Sequence, residues 1–518
     1  MTRILARANL PVVLVTLLAL ASCSAPPRDT LRVGIDVDAG TLDPRLARDT
    51  TAYRVVNLLY DGLVALDDSN ESMTPVPALA QRWENPSPTE WIFYLRDDAR
   101  FHDGETVTAE DVVYTFETLL DLDFGAPLRS LYAPIENVRA VDARTVVMTL
   151  GEPYAPLLRY LDLGIVPSHL AEDGHDLGAQ PVGSGPYQLT AWNKGNKIVL
   201  ESNPHYWAGH PSVSALEVVI IPDNTARAQA FEAGDLDLIQ SPLSPQDVAR
   251  LESMANVDAR PRAGLAVTYF NFNTGRAILS DPPMRLALAM LVDQKTIVEE
   301  IYEGTDQPAT SILLPSWDAF DDSIRQPSYD PDEADRLLAE LGWRDTDDDG
   351  VLDLEGQKLS LELGTHSEDV NRIQTIEFLQ NVFSRHGIET RLSISDWPSF
   401  SVRRDAGEYD IILLGWTQLV DPDRVLFDQL HSSGGLNWGR YHNPALDEAL
   451  ERGRASTEPS ERKRVYREAA RIISEEVPYY VLSYQAFQTF ASARLQGFEP
   501  ERRGMLRNLV GASFAPES

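Results

Sequence analysis

LSLELGTHSEDVNRIQTIEFLQNVFSRHGIETRLSISDWPSFSVRRDAGEYDIILLGW, residues 359–416, carries three apolar periods in succession. Leu359, Leu361 and Leu363 alternate as in a strand, and Ile373, Ile376, Leu379 and Phe383 recur on one helical face. Gly387 ends that helix, and alternation resumes from Ile388 to Ile394. Two strands joined through a helix are expected to run parallel, because the crossover brings the chain back in the same direction. Tyr409-Asp410-Ile411-Ile412-Leu413-Leu414 then forms a continuous apolar run, which suits a strand covered on both faces. The fold class is therefore α/β. In open α/β sheets ligands lie beyond the carboxyl ends of strands, so 416–423 is a natural binding loop.

The same signals extend outward along the chain. Leu31 to Ile35 alternates like a strand, and Gly40 begins a turn. Thr108-Ala109-Glu110-Asp111 has the form of a capping box, followed by Val112, Phe116 and Leu119 on one helical face. Asp330-Pro331-Asp332-Glu333 supplies an N-cap, a proline at the first helical position and acids in the first turn, with Gly342 closing the helix. A charged helix over 462–476, with Val465, Ala469, Ile472 and Ile473 inward, stops at Pro478. No internal repeat or low-complexity segment interrupts this pattern.

At the start, Arg3 and Arg7 precede the apolar run 10–21, and small residues flank Cys23, the single cysteine of 518 residues. That order is a bacterial secretory signal. The run is shorter than the roughly 20 residues a membrane helix needs, so 1–22 reads as a removed leader and 23–29, with Pro26 and Pro27, as a tether. Leu20-Ala21-Ser22-Cys23 resembles the lipobox of bacterial lipoproteins, which implies that Cys23 is acylated and begins the mature chain. The other reading is an incidental cysteine behind an ordinary leader.

The formal charge is −34, and loss of Arg3 and Arg7 makes the mature chain two units more negative. Nucleic-acid binding needs a basic footprint, and none is present. Anionic head groups would repel this surface, so membrane attachment is expected through lipid alone. With Cys23 acylated no thiol remains for a disulfide, and stability must come from burial. The 43% hydrophobic content suffices for two or three domains. Beyond the leader, no stretch is long enough to cross a membrane.

Catalytic signatures are missing: there is no His-Glu-x-x-His, no Gly-x-Ser-x-Gly and no phosphate-binding Gly-x-x-x-x-Gly-Lys-[Ser/Thr]. Gly183-Ser184-Gly185-Pro186 reads as a structural turn, since the proline removes a backbone donor. Asp345-Thr346-Asp347-Asp348-Asp349-Gly350 places acids at alternate positions before a glycine, the pattern by which oxygen ligands wrap calcium. Asp345, Asp347 and Asp349, with Asp353 as a further ligand, are therefore expected to form either a weak structural calcium site or a solvated acidic turn. A full EF-hand is excluded, because the twelfth position is Gly356. No other cofactor is expected.

Several blocks together resemble the oligopeptide- and dipeptide-binding proteins of bacterial ABC importers, extracellular solute-binding family 5. They are Thr41-Leu42-Asp43-Pro44, Tyr60-Asp61-Gly62-Leu63, Pro77-Ala78-Leu79-Ala80 with Trp83, Phe93-Tyr94-Leu95-Arg96, Phe101-His102-Asp103-Gly104 and Ala109-Glu110-Asp111-Val112. Gly183-Ser184-Gly185-Pro186-Tyr187, Asn203-Pro204-His205-Tyr206-Trp207, Asn271-Phe272-Asn273, Arg285-Leu286-Ala287-Leu288-Ala289 with Asp293, and Asp421-Pro422-Asp423 complete the series. Their order and spacing span nearly the whole mature chain. The resemblance implies a two-lobed periplasmic-binding-protein fold of the type II, Venus-flytrap kind, with three domains. The first lobe would join a discontinuous domain, 30–52, 176–268 and 486–518, to an inserted domain, 53–175. The second lobe would be 269–485, with hinge strands near 268–271 and 484–487. A monomer is implied, delivering a peptide or other small polar solute to a membrane permease driven by an ATPase.

The family's contact positions fall on Trp416, Tyr269, Asn271, Arg404 and Ala39. Trp416 could stack on a ligand or close the core, Arg404 could reach a carboxylate or form a surface salt bridge, Trp397 could form a wall or serve packing, and Tyr269 and Asn271 could be plain sheet residues. In relatives the loop after Gly-Trp supplies an aspartate for the peptide α-ammonium. Here Leu419 stands at that position, and Asp421 could replace the aspartate only if the loop shifts. A periplasmic hydrolase using Asp36, Asp38 or Asp421, and a sensory or assembly receptor on the same fold, are the other readings.

Overall fold

A computed structural model describes residues 30–515, apart from 70–72, 173, 241–242, 368 and 418. The leader, the tether and Cys23 lie outside the described residues. Ser360–His366 and Glu389–Ser395 pair in parallel, with Ser360 beside Glu389 and His366 beside Ser395. Helix Val370–Arg385 joins them and buries Thr375, Ile376, Leu379, Val382 and Phe383. Asp369 caps its start by accepting from the Arg372 amide at 3.1 Å. Gly387 leaves the helix at φ +72°, a left-handed conformation that residues with a Cβ resist. Strand Ile411–Trp416 runs parallel to Ser360–His366 on one side and antiparallel to Val257–Phe272 on the other. Its first four residues are consequently buried, as the unbroken apolar run requires.

These strands form one end of an 11-stranded sheet. Thr30–Ile35, flanked in parallel by Ala215–Ile220 and Leu238–Ile239, lies in the other half. Two long strands at the centre, Val257–Phe272 and Tyr479–Ser492, run antiparallel and carry the sheet from lobe to lobe. Their register shifts between Ala263 and Val267 and again between Thr268 and Tyr269. Such irregularities bend a strand pair. The first break faces Tyr484 to Ala486 and the second faces Val481 to Ser483, so both lie in or beside the stretches 268–271 and 484–487 that the resemblance implies as hinges.

The inserted segment builds a separate antiparallel sheet in the order Ala80–Ser87, Glu90–Leu95, Thr145–Leu150, Ile135–Asp142. Helix Ala109–Leu120 packs there through Val112, Phe116 and Leu119. Its capping box is present: Asp111 Oδ2 accepts from the Thr108 amide at 2.8 Å and from its hydroxyl at 2.9 Å. A single hydrophobic cluster includes Phe93 and Phe116 of this segment and Leu446, Val465 and Ile473 of the second lobe. The Ala155 amide also donates to the Arg454 carbonyl at 2.8 Å, so the two lobes are in contact.

Gly183 and Gly185 press on main chain: a Cβ on them would stand 2.0 Å from the Leu59 carbonyl oxygen and 2.5 Å from that of Leu58. The Gly-Ser-Gly-Pro turn is thus a packing device. The last long helix begins at Pro459 rather than Arg462 and ends at Glu476. Among the described residues, no helix is long and apolar enough to cross a membrane.

Candidate functional site

Between the lobes lies a cavity of 390 Å³, within the range of roughly 300–1,000 Å³ typical of small-molecule sites. Helix Thr50–Leu59 supplies one wall. Asp49 caps it by accepting from the Ala52 amide at 2.7 Å, and Tyr53, Val56, Asn57 and the following Tyr60 face the cavity, the spacing of a single helical stripe. Leu131, Tyr132, Arg159 and Tyr160 of the inserted segment form a second wall, and Thr417, Val420 and Arg424 of the second lobe a third. A neighbouring cavity of 320 Å³ shares Arg159 and Val420 with the first. The predicted binding loop 416–423 therefore does reach the interlobe space.

That loop is held by its two aspartates. Asp421 is 0% exposed. Its carboxylate accepts from Arg462 Nη1 at 3.0 Å and Nη2 at 2.8 Å, and Arg159 Nε of the inserted segment stands 3.3 Å away. It also caps helix Pro422–Leu430 through the Asp423 amide at 3.0 Å. Burial alone would raise its pKa; the two arginines outweigh burial and hold the carboxyl below its ordinary range. Asp423 pairs with Arg454 at 2.8 Å. Asp421 is thus an interlobe clamp, and its oxygens are already taken, so it does not stand in for an amine-binding aspartate in this arrangement. Leu419 is fully buried, its amide donating to the Leu265 carbonyl at 3.0 Å and its carbonyl accepting from Trp317 Nε1 at 2.9 Å.

The other expected contacts divide. Trp416 reaches the site at one remove: the Arg424 guanidinium lies 5.4 Å from its ring centroid, Trp438 meets it edge-on at 6.4 Å, and its indole nitrogen has no hydrogen-bond partner among the described residues. Tyr269 does not line the cavity. It is 0% exposed, stacked on Tyr479 at 4.3 Å, and its main chain pairs with Leu414 and Val481. Asn271 and Arg404 instead border a void of about 10 Å³, room for at most one water. Arg404 stacks 4.0 Å over Trp438 and bonds Asp405 at 2.9 Å. Trp397 is 46% exposed beside His366, at 5.2 Å, and is not among the residues lining the interlobe cavity. Ala39 is buried, with its amide donating to Asp38 at 2.9 Å. Sequence reasoning passed over Arg159, Arg424 and the tyrosines. The spacing 53, 56, 57 and 60 is the signal that could have found this wall, although periodicity alone does not distinguish a core face from a cavity face.

In the acidic loop, carboxylate oxygens of Asp345, Asp347 and Asp349 lie within 4.8 Å of one another, all exposed. Lys358 Nζ stands 2.7 Å from Asp347 and 2.8 Å from Asp349, so a protein cation already neutralises two of the acids. Asp353 is not part of the cluster: its carboxylate accepts from the Thr346 amide at 3.0 Å and from its hydroxyl. Two of the acids considered for hydrolysis are bonded within the protein. Asp38 is bound by Trp192 Nε1 at 3.0 Å and the Gly195 amide at 2.7 Å, and Asp421 by its arginines.

The chain matches the model of bacterial extracellular solute-binding proteins, family 5 Middle, over residues 74–438. It is similar to Protein XP55 of Streptomyces lividans, 32% identical over 487 residues, covering 89% of this chain and 86% of that protein. It is also similar to the oligopeptide-binding protein AppA of Bacillus subtilis (strain 168), 26% identical over 480 residues, 89% and 87% of the two chains. Among solved structures, NikZ from Campylobacter jejuni in complex with Ni(L-His) aligns with a TM-score of 0.79 at 26% identity, covering 94% of this chain and 100% of that one.

Proposed function

Because this chain belongs to the bacterial extracellular solute-binding proteins of family 5, we propose that it is the substrate-binding subunit of an ABC importer. It encloses a peptide or another small polar solute between its lobes, leaves it chemically unchanged, and presents it to a permease driven by an ATPase. The observation that carries this reading is the 390 Å³ interlobe cavity, walled by three separate segments of the chain. A ligand touching all three walls binds the closed arrangement better than an open one, and so shifts the population toward closure. The register breaks in the two central strands give the sheet a place to bend. The oligopeptide-binding name of AppA supports a peptide, while the Ni(L-His) complex of NikZ favours the broader class of polar solutes.

The protein works as a monomer outside the cytoplasm, tethered through an acylated Cys23. Native mass spectrometry of the purified mature chain is the direct test. A retained solute, released intact on unfolding, is the expected result. A chain that carries nothing, and whose melting temperature and radius of gyration ignore an added peptide pool, would overturn the reading.

A further inference from the structure

The chemistry of the cavity is opposite in sign to that of the protein. The whole chain carries 79 acidic against 45 basic residues, yet the cavity lining contains Arg48, Arg159, Arg424 and Arg503 against the single acid Asp162. Two of these arginines are already paired: Arg503 with Asp162 at 2.5 Å, and Arg159 with Asp421 at 3.3 Å. Arg48, on the first lobe, makes no ion pair among the described residues, and neither does Arg424 on the second. The Arg424 guanidinium lies over the Trp416 ring, 5.4 Å from its centroid. Asp428, one helical turn further on, feels its charge but lies 3.7 Å from Arg454 instead. Tyr160 lines the same cavity, is 4% exposed, and its hydroxyl has no hydrogen-bond partner among the described residues. A buried hydroxyl without a partner is costly unless something else bonds it.

The lining offers nothing comparable to a cation. Its one carboxylate is held by Arg503, Leu419 is sealed in the core, and Asp421 is clamped. An ammonium enclosed here would be desolvated without a counter-charge, whereas a carboxylate would meet guanidinium groups suited to bidentate bonding.

We propose that the interlobe cavity selects a carboxylate-bearing, peptide-like solute through Arg424 and Arg48, and that a free α-ammonium is not part of recognition. This inference rests on the solute-binding reading above and narrows its substrate class. Arg424 and Arg48 come from opposite lobes, so an anion between them also draws the lobes together.

The test offers the mature protein three tripeptide pools: untreated, N-acetylated, and methyl-esterified at every carboxyl. Bound peptides are quantified by mass spectrometry after denaturation. The acetylated pool should be retained as well as the untreated one, and the esterified pool at least tenfold less. Arg424→Gln should lose at least tenfold in retention of the acetylated pool with an unchanged melting temperature, and Arg424→Lys should recover part of it. Retention of the esterified pool equal to or above the acetylated one, or full retention by Arg424→Gln, overturns the anion inference and leaves solute binding standing. Failure to retain any of the three pools, the untreated one included, takes the peptide reading down with it.

Discussion

Replacing Asp421 by asparagine keeps its shape and its helix cap while removing the charge that two arginines share. Asparagine caps about as well as aspartate, so the bond to the Asp423 amide, 3.0 Å in the wild type, should survive. Arg462, hydrogen-bonded by two nitrogens at 3.0 and 2.8 Å, and Arg159 at 3.3 Å would then face a neutral amide at a site with 0% exposure. Breaking a buried pair in this way costs about 3–5 kcal/mol. Both arginines keep some contact with solvent, 15% and 18% of their side chains, which places the expected loss near the lower end, about 3 kcal/mol. For a lobe of this size each kcal/mol shifts the melting temperature by about 2–4 °C, so Asp421→Asn should melt about 10 °C lower in differential scanning calorimetry. The pH dependence supplies a second check. The folded carboxyl lies below its ordinary range, so its contribution is fully present above the unfolded value of about 3.9. It is lost only as pH falls through the folded value. The gap between wild type and variant should therefore stay flat from pH 7 to about 5 and close only under strong acid. A drop smaller than about 2 °C at pH 7, or a gap that narrows between pH 7 and 5, would refute the clamp.

Three further outcomes are expected. Burial raises Asp306 to about 6 even though Ser483 donates to it at 2.6 Å, so the folded state holds that proton more tightly and the wild type loses stability as pH rises from about 4 to 6. Asp306→Asn should accordingly melt above the wild type at pH 7 and level with it at pH 4; a variant that melts lower at pH 7 contradicts this. Lys358 occupies the cationic position between Asp347 and Asp349, so millimolar calcium should barely move the wild-type melting temperature but should raise that of Lys358→Gln, and a large wild-type shift would show that the ion displaces the lysine. Finally, labelled palmitate should enter the full-length chain but not Cys23→Ser, and equal labelling of both would dismiss the lipid anchor.

Local pattern made much of the fold legible. The parallel pair around Val370–Arg385, the buried strand Ile411–Trp416, the Thr108–Asp111 box and the Asp330 cap each depend on residues within a turn or two of one another. The Gly-Ser-Gly-Pro turn was readable too, although what its glycines approach, the main chain of Leu58 and Leu59, was not. The site was far less legible. Arg462 looked like one more charge on an exposed helix, yet it turns inward to Asp421, 41 positions before it. Tyr269 and Asn271 sit in the hinge strand where the resemblance puts contacts, yet their faces of the sheet are covered.

By itself, then, the sequence determined the α/β class and the family, and it singled out the loop at 416–423, because periodicity, caps and ordered motif blocks are local or collinear properties. Only the tertiary structure decided which side of each element meets the cavity and which charges cancel. Asp421 and Arg159 lie in different lobes, and Arg424 and Arg48 gain their shared meaning only when the lobes come together. Whether a charge is free for a ligand depends on distances between segments remote in the chain, and composition, here strongly acidic, gave the opposite sign from the cavity.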